Sequence, residues 1–195
     1  DPRTRARRAV CTLVILPLTL RLIVWPEKGW TELVSACESG DGLPAASLHG
    51  ALAGIVSVVS TLIGSSFLPS ATVPRVVAQT LAAAAGYVGA VVVATSLPPK
   101  MLGVSDDDVD LVPRFAASAC LPTALGGLFN FVPLVGLTLV WILAGAVLTY
   151  RSALIGAETL LRLPAETQRR AASTLVFATS VPVLITTAFR FAINQ

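Results

Sequence analysis

Phe115–Tyr150 reads FAASACLPTALGGLFNFVPLVGLTLVWILAGAVLTY, a run without a single formal charge. At about 1.5 Å of rise per residue it is too long for one crossing of a hydrocarbon core about 30 Å thick. It is also too apolar to lie on a water-exposed surface. Asn130 and Pro133 sit near its middle, so the chain is expected to fold back between them and make two helices. Ala, Leu and Gly dominate the run, with no sustained alternation, and a barrel would need many more segments. The expected fold class is therefore all-α: a polytopic transmembrane helical bundle, one integral membrane domain over residues 1–195.

Working outward, Val76–Pro99 and Ala45–Leu68 are also charge-free. Ala171–Phe189 is the last such run and Arg190 ends it. Ala9–Trp25 is the first, interrupted by Pro17 and Arg21. It does not read as a signal peptide, because no A-x-A-like site closes it and Pro26, Glu27 and Lys28 follow. Composition agrees with a membrane setting. The chain of 195 residues is 54% hydrophobic and 13% charged, against about 25% charged in soluble domains. Fourteen Lys+Arg and eleven Asp+Glu cannot cover a soluble globule of this size. An ordinary cytoplasmic enzyme, a disordered chain and a nucleic-acid binder are excluded.

Charge asymmetry decides how many runs cross. Arg3, Arg5, Arg7 and Arg8 place the N-terminus in the cytoplasm, and Arg151, Arg162, Arg169 and Arg170 place the 151–170 connection there too. Both hold if one early segment does not cross. Ala45–Leu68, with His49, Gly50, Gly54, Gly64 and many serines, is the expected re-entrant or interfacial helix. The expectation is five spans with the C-terminus outside, or six if that segment crosses as well. Pro26–Pro44, with Glu27, Glu32, Glu38 and Asp41 against Lys28, reads as an acidic loop on the non-cytoplasmic face. Trp25 and Trp30 are expected at headgroup level. The basic arm fits a bacterial inner membrane or an organelle inner membrane of bacterial descent.

Small residues supply the clearest pattern. Gly50, Gly54, Ser57, Thr61 and Gly64 recur three or four apart and line one helix face, which lets another backbone approach closely. Packing within this chain and docking of a partner chain are both open to that face. Gly86 and Ala90 form a similar stripe, and Gly126, Gly127 and Gly145 permit further close approach. Pro122, Asn130 and Pro133 are expected to set helix breaks, Asn130 satisfying backbone groups freed at the bend.

Chemistry is sparse. Cys11, Cys37 and Cys120 have no ligand spacing, and Cys11 and Cys120 lie in apolar runs as small hydrophobes. Asp106, Asp107, Asp108 and Asp110 lack the glycine turn and distal glutamate of a calcium loop; Ser105 instead reads as the cap of a short helix. Arg21 and Arg190 are read as snorkelling to the interface. His49 has no partner at a motif spacing, and one histidine cannot supply a pair for haem. No P-loop, zincin or nucleophile-elbow motif occurs. No cofactor, metal or soluble small-molecule substrate is expected.

The C-terminal half has a further organisation: Ala119 and Pro122 at the end of an apolar helix, Pro133 about ten residues on, Gly145 and Tyr150 in a small-residue-rich helix, then Gly156 and a Leu-Pro turn at Pro164. This resembles the bacterial branch of the Yip family, five-span membrane proteins named for Ypt/Rab-GTPase interaction in eukaryotes. The chain departs from the family pattern at Ser118, where a Tyr is usual nearby, and in the added segment Ala45–Leu68. The resemblance implies a five-helix bundle with a cytoplasmic N-terminus and no catalytic residues. The expected function is a non-catalytic accessory or scaffold subunit that packs against other integral membrane subunits and membrane lipids, with a small transporter or channel as the alternative.

Overall fold

The computed structural model describes residues 21–38, 45–68, 72–131 and 135–194. They form helices, with no strand among the described residues. In chain order these are α1 (Pro26–Glu38), α2 (Ala45–Ser66), α3 (Val73–Thr95), α4 (Val112–Ala119), α5 (Leu121–Leu125), α6 (Val135–Thr159) and α7 (Ala165–Asn194). A single turn at Pro99–Leu102 and 3-10 segments at Asp106–Leu111 and Gly126–Phe131 complete them. Four stretches are long and apolar enough to cross a membrane: Val73–Thr95, Asp108–Phe131, Leu137–Thr159 and Ala165–Ile193. The long charge-free run is thus divided between a broken segment and the continuous helix α6, with Pro133 outside the described residues.

The helices run antiparallel and give the bundle two unlike ends. Gly86 of α3 lies against Thr186 of α7, and Gly89 of α3 faces Pro182 at 3.7 Å from a Cβ placed on it. Gly54 and Ser65 of α2 meet Val88 and Gln79 of α3. One end gathers α1, the start of α2, Lys100, the aspartate-rich 3-10 segment and the turn between α6 and α7. The other gathers the end of α2, the start of α3, Gly126–Phe131 and the end of α7.

The broken segment α4–α5 runs through the interior. Phe115, Ala116, Ala119, Cys120 and Leu121 are all buried there in the main apolar core. Pro122 enters in the first turn of α5 and cannot donate to the preceding turn. The neighbouring amide of Thr123 donates to Thr149 Oγ1 on α6 at 3.3 Å, and the two threonine hydroxyls lie 2.8 Å apart. Polar groups near the break are therefore satisfied across helices.

Two expectations are corrected. Pro26–Pro44 is not simply a polar loop: its first part is helix α1, because Leu22, Pro26, Trp30 and Leu33 recur at helical spacing and are all buried. Trp30 is not an interfacial anchor. It is fully buried, donates from Nε1 to Ser152 Oγ at 3.2 Å and lies 5.9 Å from Phe115, ring centre to ring centre. Trp25, by contrast, is exposed. α1 therefore sits at the same end as the 151–170 connection, not opposite it. The segment expected to be re-entrant or interfacial is a continuous 22-residue helix packed along α3, and it is not among the four stretches long and apolar enough to cross a membrane.

Candidate functional site

The described polar side chains converge most clearly at the end that lacks carboxylates. Gly126 and Gly127 begin the 3-10 segment that follows α5. With no side chain at Gly127, Ser57 of α2 and Tyr87 of α3 both come close: a Cβ there would lie 2.9 Å from Ser57 Cβ and 3.3 Å from Tyr87 Cε2. Gly64 of α2 packs directly onto the carbonyls of Asn130 and Phe131, and a Cβ on it would stand 2.8 Å from the Phe131 oxygen. These contacts hold the segment against α2 and bury Asn130 to 2% exposure.

Arg190 of α7 reaches the same point. Its Nη1 donates to Asn130 Oδ1 at 2.8 Å. Tyr87 is buried beside both, with its phenol close enough to interact with the Arg190 charge and the Asn130 side chain. Asn130 Nδ2 has only the Tyr87 phenol near it, and Arg190 Nε has no partner. An unmade hydrogen bond on a buried donor costs about 1–3 kcal/mol, and more when the donor is charged. Among the described residues every Asp and Glu belongs to an element at the other end, so no carboxylate balances Arg190. The cluster is rich in donors and poor in acceptors. Beside it Phe129 stacks on Trp141 at 3.4 Å and 8°.

The residues singled out in the sequence separate cleanly. Gly54, Ser57, Gly64, Gly127 and Gly145 all make close contacts inside this chain; a Cβ on Gly145 would lie 3.3 Å from Thr123 Cα. Gly126 faces the Tyr87 ring at 3.8 Å. Gly50 lies in α2, and its surroundings, like the side chain of His49, lie outside the described residues. Arg21 is exposed and forms an ion pair with Glu32 of α1. Arg190 is half-buried, and its guanidinium is bonded to Asn130. Ser105 precedes the aspartate-rich 3-10 segment, but its hydroxyl donates to Asp108 Oδ2 at 3.2 Å and caps no backbone amide. Cys120 is buried, its thiol 3.3 Å from the Ala117 carbonyl. Among the described residues no group of three or more His, Cys, Asp or Glu could hold a metal.

Sequence reasoning did not single out Tyr87 or the buried hydrogen bond from Ser65 Oγ to Gln79 Oε1 at 2.6 Å. Gln79 inside an otherwise apolar run was the available signal. Compared with family models, curated proteins and solved structures, the chain matches none.

Proposed function

We propose that the protein is a non-catalytic, Yip-like integral membrane protein that serves as an accessory or scaffold subunit among other membrane proteins and lipids. One observation carries the reading. The small and polar residues are spent on helix contacts inside the chain, while the outward faces carry bare apolar groups: Leu143 is 68% exposed, Phe177 73% and Ile185 64%. Apolar surface on that scale needs lipid or neighbouring helices.

Five elements then cross: α2, α3, the broken α4–α5 segment with its 3-10 continuation, α6 and α7. The charged end is cytoplasmic, since it holds Lys100, Arg114, Arg151, Arg162, Arg169 and Arg170, against Arg75 and Arg190 at the other. The membrane is a bacterial inner membrane or an organelle inner membrane of bacterial descent. Mild solubilisation followed by native electrophoresis and mass spectrometry of the band tests the role. A stoichiometric membrane subunit is expected to co-migrate; a chain that runs alone as a monomer overturns it. Orientation is tested with Lys100→Cys and Thr72→Cys in a Cys11→Ser, Cys37→Ser background. An impermeant maleimide labels intact cells only at position 72 if the orientation is right.

The transporter or channel alternative draws on the break at Gly126–Phe131 and its buried Asn130. Liposome flux abolished by Asn130→Leu favours it. A protein inert in flux assays removes it.

A further inference from the structure

We infer that Arg190 and Asn130 form a binding site for the phosphodiester of a glycerophospholipid at the non-cytoplasmic edge of the bilayer. The inference rests on the membrane reading above and gives that reading a specific ligand class. Three observations carry it. First, Arg190 holds a charge with no carboxylate at its end of the bundle among the described residues, and its recorded side-chain partner is the neutral Asn130 Oδ1. Second, Asn130, 2% exposed, has only the Tyr87 phenol near its Nδ2, and Arg190 Nε has no partner at all. An orphan guanidinium donor and a net positive charge call for an anionic acceptor with several oxygens, and a guanidinium matches a phosphate particularly well.

Third, the depth is right. Twenty residues of α7 separate Arg170 from Arg190, about 30 Å of helix and the thickness of a hydrocarbon core. With Arg170 at the cytoplasmic edge this puts Arg190 near the opposite one, within reach of phosphates, while α3, paired to α7 through Gly86 and Thr186, continues past it to Val73. Arg190 is half-buried and its Nε lies out of solvent reach, so a headgroup must draw the guanidinium outward to bind. A carboxylate on the protein would have closed the charge internally; Asn130 in that place leaves it open.

Native mass spectrometry of the purified protein in mild detergent tests the inference. Wild type is expected to retain one phospholipid. Arg190→Gln is expected to lower occupancy about tenfold, the equivalent of about 1.4 kcal/mol. Asn130→Asp, which supplies the missing carboxylate and preserves the hydrogen bond, is expected to expel the lipid from a folded protein. It keeps the test decisive if Arg190→Gln does not fold. Added phosphatidylglycerol should refill wild type; diacylglycerol, which has the tails and no phosphate, should not. If millimolar inorganic phosphate displaces the lipid, the site recognises the phosphate itself and takes it from either source. If it does not, the tethered headgroup is the ligand. Equal occupancy in wild type and both variants overturns the site, as does diacylglycerol binding as well as phosphatidylglycerol. A chain that stays monodisperse without detergent would instead overturn the membrane reading.

Discussion

The two ends of the bundle solve the same packing problem with opposite chemistry. At the charged end a large aromatic does the work: Trp30 of α1 fills the space over Gly156 of α6 and against Phe115 of α4, with its indole nitrogen bonded to Ser152. Charges of both signs surround that contact, and Arg21 and Glu32 can pair because water accepts what they leave over. At the other end backbone packs on backbone, with Gly64 on the carbonyls of Asn130 and Phe131. The charge there, Arg190, is held by an amide and not by an acid. Where water is at hand the chain uses size and charge. At the other end the chain removes side chains and leaves a charge for something outside itself to balance.

Removing the aromatic anchor should give the largest effect. Trp30→Ala is expected to cost about 3–5 kcal/mol, the range for truncating a large buried aromatic. Thermal unfolding in mild detergent, followed by circular dichroism, should show a clear drop in midpoint. Gly156→Leu should mimic it, because a Cβ at Gly156 already collides with the indole, 2.7 Å from Cε2. An unchanged midpoint for Trp30→Ala would mean that α1 contributes little to the bundle, and the contrast between the ends would fail.

Gly64→Ala probes the other end and should be milder. The added methyl meets backbone carbonyl oxygens, which cannot swing aside as a flexible side chain can. Overpacking of this kind costs about 1–3 kcal/mol. Alanine's better helix propensity returns up to about 1 kcal/mol. The net loss should also loosen the segment carrying Asn130, so Trp141 emission, reporting the adjacent stack with Phe129, is expected to shift in this variant. A stabilised Gly64→Ala protein with unaltered Trp141 emission would show that α2 does not press on that segment.

The sequence reads well where its signal is one-dimensional. Charge-free runs of the right length locate α3, α6 and α7, and the length of Phe115–Tyr150 requires a division near Asn130. It reads poorly where the deciding partner is remote. The glycines and serines of Ala45–Leu68 carry no sign of which helix they face, and folding spends Gly54 on α3 and Ser57 on Gly127. α1 was hidden by its acidic residues, although Leu22, Pro26, Trp30 and Leu33 carried a helical period throughout. The Arg190–Asn130 contact joins residues sixty positions apart. Either residue alone has a plain local explanation, one as the end of a run and the other as part of a bend, and only folding puts a donor-rich pair together.

The smallest expected effect concerns the exposed pair. Arg21 and Glu32 are 51% and 44% exposed, so water screens their attraction and side-chain entropy opposes it. Glu32→Gln should cost less than about 1 kcal/mol at low ionic strength. The difference between wild type and Glu32→Gln should shrink further at about 1 M salt, where the screening length falls to about 3 Å. The variants at Trp30 and Gly64 should keep most of their deficit in the same buffer, because they act through packing. A Glu32→Gln deficit as large as that of Trp30→Ala and indifferent to salt would show that the pair is desolvated and that charge, not aromatic packing, holds α1 in place. The same salt series separates the two ends, since the contact between Gly64 and the carbonyls of Asn130 and Phe131 involves no mobile charge that ions could screen.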